Sequence, residues 1–204
     1  MANVEHNALT GASLHEPKGV AAATADTVYV ADGAGSGSWT TIGPDSLSGV
    51  TQAFNSQLLH VQDEKTAGTN GGSSSVGLNT RTLNTVATNE ISGASLASNQ
   101  ITLPAGTYFA IAWAPAVRTG GHQLLLANVT DGTTTLKGTC AHTYQDAGDE
   151  NMSTSFLTGR FTIGSAKAFS LSHYCSIASS SFGLGRAVGW TSEIYAQILI
   201  WKVA

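Results

Sequence analysis

The stretch that most constrains this chain is Glu193-Ile194-Tyr195-Ala196-Gln197-Ile198-Leu199-Ile200-Trp201-Lys202-Val203. On a strand, alternate side chains point to opposite faces. Ile194, Ala196, Ile198 and Ile200 then share one face, and Tyr195, Leu199, Trp201 and Val203 share the other, with only Gln197 breaking it. A strand with one face in water alternates apolar and polar residues. This one is apolar on both faces, so something must cover the second. The cover is another part of the chain or another copy of it, and we take it to be another copy.

The chain has 204 residues, room for one all-β domain and a small extension. Charged residues make up 11%, against about a quarter in an average protein. With 23 Gly and only 4 Pro, this is the composition of a β-rich chain with many tight turns. A net charge of −4 without a Lys/Arg cluster argues against binding nucleic acid, and no apolar run is long enough to insert in a membrane. The opening residues Met1-Ala2-Asn3-Val4-Glu5-His6 have neither a basic nor an apolar region, so no secretory signal is expected. Cys140 and Cys175 both fall in strand-like runs and are expected as small buried hydrophobes.

Residues 1–43 have their own character. Thr27-Val28-Tyr29-Val30-Ala31 and Trp39-Thr40-Thr41-Ile42 are expected to pair as a small hairpin across a Gly/Ser turn. That turn lacks the Lys-Ser/Thr pair of a phosphate-binding loop. Pro44 to Leu59 is the best helix candidate, because Leu47, Val50, Phe54 and Leu58 recur at spacings of three and four. So narrow a seam suits a neck where several chains meet. The expected organisation is an N-terminal attachment module at 1–43, a helical neck at 44–57 and an all-β domain at 58–204. The last has eight to ten strands in two antiparallel sheets. Strands near 108–114, 124–129 and 194–203 read as buried on both faces, so one sheet should lie against another subunit.

Two stretches carry a resemblance. Asn99-Gln100-Ile101-Thr102-Leu103-Pro104-Ala105-Gly106-Thr107-Tyr108, Leu124 to Gly132 and Ile194 to Trp201 resemble the C-terminal domains of bacteriophage and gene-transfer-agent-like virion fibres and spikes. These are similar to the trimeric C1q/tumour-necrosis-factor-like jelly rolls. Leu14 to Val20 with Thr27 to Trp39 is similar to a module that precedes such domains in phage structural proteins. The resemblance implies a homotrimeric virion protein, assembled in the bacterial cytoplasm, whose residues 1–43 join other virion proteins. The interface residues expected are Leu47, Val50, Phe54 and Leu58 in the neck, and Tyr108, Tyr195, Leu199 and Trp201 on strands.

Chemistry-bearing constellations are sparse. Six scattered histidines show no metal-binding spacing, the acids around Asp146 to Asn151 miss the calcium-loop pattern, and no nucleophile elbow or positioned carboxylate pair can be named. No enzyme, cofactor or metal is expected. What remains is a binding surface on loops. Arg118, His122, Tyr144, Asp146 and Asp149 are the expected receptor-binding residues. Tyr174, Phe182, Arg186 and Trp190 are further aromatic or charged residues in or beside turns. Loops 117–122 and 144–152 should lie at the end opposite the Asp131-Gly132 turn. The function expected is a non-enzymatic fibre or spike that binds a host-surface glycan. The alternatives are a decoration or connector protein without a ligand, and a capsule-degrading enzyme.

Overall fold

Alternating runs of β-branched, aromatic and polar residues become thirteen antiparallel strands among the residues described by the computed structural model, 22–34, 37–41, 57–144 and 151–203. The chain divides into two units, Met1–Ala53 and Phe54–Ala204. In the first, β1 (Thr27–Ala31) and β2 (Gly37–Thr41) form the expected hairpin, with Tyr29 opposite Trp39 and their rings edge-on at 5.5 Å. Cross-strand aromatic pairs of this kind hold a hairpin in register. The return strand starts at Gly37, two residues earlier than expected, and Ile42 lies outside the described residues.

The second unit holds β3 (Leu58–Lys65), β4 (Gly77–Thr80), β5 (Thr85–Asn89), β6 (Ser95–Ala97), β7 (Gln100–Leu103), β8 (Gly106–Val117), β9 (Gly120–Asn128), β10 (Thr133–Thr143), β11 (Met152–Ile163), β12 (Lys167–Cys175) and β13 (Glu193–Lys202). One sheet runs β11-β8-β13-β3-β5 and the other β10-β9-β12-β7-β6, with β4 also on β12. From β7 onward the chain crosses between sheets at every connection except the β9–β10 hairpin. Two antiparallel sheets wound in this order make a jelly-roll sandwich, the architecture expected from the sequence. The Pro104-Ala105-Gly106 turn joins β7 to β8 and is closed by the Tyr108 hydroxyl, which donates to the Pro104 carbonyl at 2.6 Å.

The core lies between the sheets. Tyr108, Ala110, Ala112 and Ala114 from β8 meet Leu124 and Leu126 from β9, Phe169 and Leu171 from β12, and Ala196, Ile198 and Ile200 from β13. Alanines on β8 leave room for the larger side chains facing them. Along one side the sheets are laced together: Ser155 Oγ donates to the Thr139 carbonyl at 2.6 Å and accepts from the Leu124 amide at 2.9 Å. Gly138 permits this approach, since a Cβ there would come within 2.6 Å of the Phe156 carbonyl oxygen.

Four expectations are corrected. Leu58 and Leu59 open β3 rather than ending a helix; residues 44–56 of the expected neck, with Leu47, Val50 and Phe54, lie outside the described residues. The expected strand from Thr80 to Ala87 is broken between β4 and β5, because Arg81 and Leu83 are drawn into the interior. The alternation of β13 is interrupted by an irregularity in its pairing with β3 between Ile194 and Gln197. An extra residue flips the side chains before it, so Tyr195 is buried and Ile194 exposed, the reverse of the simple alternation. Finally, Cys140 is exposed on β10, while Cys175 is buried on β12; both are free thiols.

Candidate functional site

The outer face of the β11-β8-β13-β3 sheet carries an apolar cluster centred on β8 and β13, with Thr158, Arg160, His60, Gln62 and Gln197 at and around its edges. Register places Phe156, Trp113 and Gln197 in one row, Thr158, Ile111 and Leu199 in the next, and Arg160, Phe109, Trp201 and Leu58 in a third. Phe109 and Trp201 rings lie 6.3 Å apart, and Phe156 is 55% exposed. Beside them, His60 Nε2 donates to Gln197 Oε1 at 2.9 Å, so the one polar residue of this β13 face has its own partner. Leu58, Leu199 and Trp201 of the expected interface residues are on this face. Tyr108 and Tyr195 are not. Tyr108 is stacked in the core on Phe161, and Tyr195 is 4% exposed with its hydroxyl donating to the Thr69 carbonyl at 2.7 Å. Both point inward because a large ring with one polar tip can be buried where a carbonyl accepts that tip. Phe109, Ile111, Trp113 and Phe156 take their place. The third strand read as doubly buried, β9, belongs to the other sheet, where its outward Leu125 and Ala127 are half-buried.

Strand directions gather the long loops at one end. Leu58 enters opposite Trp201, and the tight Asp131-Gly132 turn is at that same end, with Gly132 at a φ of +67° and Lys167 paired to Asp131 at 2.7 Å. The loop after β3, the β8–β9 turn and the β12–β13 loop lie at the other end, as do the end of β10 and the start of β11; the sequence led us to expect this of 117–122, while 145–150 of the other expected loop lie outside the described residues. The Gly/Ser-rich β12–β13 loop is not slack. Gly183 accepts from the Val117 amide at 3.0 Å, Gly185 from the Gly71 amide at 2.8 Å, and Leu184 from Arg81 Nη2 at 2.7 Å. Glu193 Oε1 takes the Gly68 and Gly189 amides at 3.0 and 2.7 Å, and Val188 also donates to this carboxylate. These backbone donors hold the Glu193 carboxyl below its ordinary range.

Within this scaffold, Arg118 and Arg186 both stand over the ring of Phe182, at 5.2 and 5.3 Å from its centre. Phe182 separates two open pockets. The larger, of 510 Å³, is lined by Arg186, Asn70 and Val188 among others. The smaller, of 180 Å³, is lined by Arg118, Ser179 and Ser180. Tyr144, 68% exposed, and Trp190, 89% exposed, belong to the β10–β11 and β12–β13 connections at the same end.

His122 is not at the surface. It is 3% exposed, with Nδ1 2.8 Å from His173 Nε2 and Nε2 2.7 Å from Ser153 Oγ. Ser153 in turn donates to the His142 carbonyl at 3.1 Å. That bond sets the direction of the rest: His122 Nε2 donates to Ser153, and His173 Nε2 donates to His122 Nδ1. Inward placement follows from the alternation of β9, where His122 shares its face with Leu124 and Leu126. Asp146 and Asp149 lie outside the described residues. Sequence reading missed Arg81, Glu193 and Ser153, none of which sits in a recognisable motif; Arg186, Phe182 and Trp190 were legible only as loop residues. Among the described residues no group of three or more His, Cys, Asp or Glu could hold a metal.

The histidine pair gives a pH dependence. Burial above all, then the charges of His142 and Arg81, lowers His122 to about 4. Burial, then Arg81 and His122, lowers His173 to about 2. Both are therefore neutral in the folded protein at acid pH where the unfolded chain, near 6.5, has already bound protons. Stability is full above about pH 6.5 and falls as pH drops toward 4 and below. Thermal melts from neutral pH to about pH 4.5 should show a falling midpoint, with a shallower fall in His122→Gln. An unchanged slope in that variant would remove His122 from the account.

No protein-family model matches the chain, and no curated protein matches it in sequence. Solved structures similar to it include murine APRIL at pH 5.0 (9% identity over 71% of this chain and 97% of that one, TM-score 0.46). The globular domain of zebrafish complement 1qA is similar at 12% identity, over 72% of this chain and 97% of that one, with a TM-score of 0.42. Eiger TNF from S. frugiperda is similar at 12% identity, over 72% and 92%, with a TM-score of 0.47.

Proposed function

We propose that the chain is a non-enzymatic, homotrimeric fibre or spike protein of a bacteriophage-like virion. Three copies pack through the outer face of the β11-β8-β13-β3 sheet. Residues 1–43 join the trimer to other virion proteins, and the loop end presents a glycan-binding surface to the host cell. The observation that carries the reading is the apolar outer face. Phe109, Ile111, Trp113, Phe156, Leu199, Trp201 and Leu58 cluster on one outward sheet face, the kind of apolar patch that marks an interaction site. Closed symmetry gives each copy the same partner surface. Three copies rather than two, and a virion rather than another assembly, rest on the sequence resemblance. Loops at the far end from Leu58 support the placing of the ligand surface, and three weak sites on one trimer would act together on a repeating glycan.

The test uses labelled full-length protein on a panel of bacterial cells. The wild type should stain the surface of a susceptible strain. The Arg118→Ala/Tyr144→Ala double variant should lose most of that staining while its melting midpoint stays within a few degrees, since both residues are in surface connections. Undiminished staining by the double variant would put the ligand elsewhere. Staining of no strain would favour a decoration protein without a ligand.

A further inference from the structure

We propose that Trp190 is a stacking platform for a hexose ring of the host glycan, with the pocket beside it taking the sugar's hydroxyls. This deepens the glycan reading above and rests on it.

Tryptophan is on average a buried residue in folded proteins, yet Trp190 is 89% exposed on the β12–β13 loop, and Val188, two residues earlier, is 65% exposed. The loop holds them out by its own hydrogen bonds. The carboxylate of Glu193, a residue only 4% exposed, accepts from the Val188 amide at 3.2 Å as well as from Gly189 and Gly68. Gly189, with a φ of +78°, makes the left-handed turn that precedes Trp190. The Ala187 amide donates to Asn70 Oδ1 at 3.0 Å, which ties this loop to the one after β3. A buried acid and a second loop thus fix the backbone that leads to an exposed indole. An aromatic ring on a fixed backbone loses little conformational entropy on binding, which suits it to recognition surfaces.

The indole selects its occupant. One face of a pyranose ring is built of C–H bonds and matches a flat aromatic face, while the hydroxyls stand around the rim and need polar partners. Beside Trp190, Gly68, Asn70, Ser181, Val188 and Gly189 are among the residues lining the open pocket of 510 Å³. Asn70 has its Oδ1 on the Ala187 amide, and its NH2 is the donor that can meet a sugar hydroxyl. Ser181 adds a hydroxyl that can donate or accept. A lipid surface would call for a wider apolar stretch flanked by cations, whereas Trp190 is followed by Thr191 and Ser192. Three copies on one trimer would repeat the platform, so that weak single stacks act together on a repeating polysaccharide.

Full-length protein is applied to an array of purified bacterial capsular and O-antigen polysaccharides, and acrylamide quenching of tryptophan emission is measured on the same protein. One of the four tryptophans should be open to acrylamide in the assembled wild type, be missing in Trp190→Phe, and be shielded by a bound polysaccharide. Trp190→Ala should weaken binding by about tenfold, and Trp190→Phe, which keeps a flat ring, should recover much of it. Neither variant should move the melting midpoint, since the side chain is in water. Polysaccharide binding and cell staining that Trp190→Ala retains in full would overturn the platform while leaving a glycan site elsewhere. A Trp190 closed to acrylamide in the assembled protein would give that surface to a second copy and overturn the platform as well. Binding to no polysaccharide on the array would also overturn it. Cell staining then decides the reading beneath it separately: staining abolished by protease treatment of the cells would mean a protein ligand, and the glycan reading would fall too.

Discussion

Ile198→Asp is expected to leave no folded domain, and Leu199→Asp, one residue along, to leave a folded domain that no longer assembles. Ile198 is fully buried between the sheets, opposite Ala112 and Val61 in the ladder. An ionised carboxylate there has no partner, and burying it costs more than about 4 kcal/mol, most of what a domain of this size has to lose. Leu199 points the other way, between Ile111 and His60 on the outer face. If that face is water-exposed, Leu199→Asp changes stability by no more than about 0.5 kcal/mol. If three copies meet there, the same charge is buried three times around one axis and the assembly is lost. Circular dichroism separates folding from assembly, and sedimentation reads the assembly. A Leu199→Asp protein that remains assembled with a native melting midpoint would show that the outer face is not the interface.

The second large effect is expected at Arg81. It is fully buried, with Nη1 donating to the Pro115 carbonyl at 3.1 Å and Nη2 to the Leu184 carbonyl at 2.7 Å. Burial lowers the guanidinium to about 10, with Asp63 acting against that shift, so it stays charged at neutral pH. Asp63 is 1% exposed and has Lys65 Nζ at 3.1 Å; burial raises its carboxyl, and Lys65 and Arg81 both counter that. Arg81→Ala removes a large interior side chain, strips two carbonyls of their donor and takes a positive charge from the neighbourhood of Asp63. The cost should be about 3–5 kcal/mol, the range for breaking a buried charge arrangement. Because Leu184 belongs to the β12–β13 loop, the loss should fall first on that loop. Hydrogen exchange should speed up at residues 182–189 even at temperatures where the sheets stay protected. Exchange that rises uniformly, or not at all, would contradict the tether.

How far the chain could be read from its residues depended on whether a property was local. Period-two alternation placed β8, β9 and β13, and the Asp131-Gly132 and Pro104-Ala105-Gly106 turns placed hairpin and crossover, because each of these is written within a few residues. The sandwich and the doubly apolar character of β13 followed. Which side of β8 faces the core did not follow: both faces are apolar, and only the small alanines opposite Leu124 and Phe169 decide it. That is why Tyr108 was expected at an interface and is found in the core. The β13 irregularity also escaped, since a single extra residue leaves no mark in the pattern except the exchanged fates of Ile194 and Tyr195. His122 looked like a loop residue at the start of a strand and proved to be inside, joined to a histidine fifty-one positions later. The Arg118–Phe182–Arg186 group was invisible as a group for the same reason: its members are brought together by the crossing of loops, not by spacing.

If other copies of the chain cover the outer face of the β11-β8-β13-β3 sheet, the mass of the protein in solution will show it. Sedimentation equilibrium on the full chain should return three times the chain mass of 20.9 kDa, independent of loading concentration over the accessible range. A single species at 20.9 kDa would leave the apolar face uncovered and contradict the account.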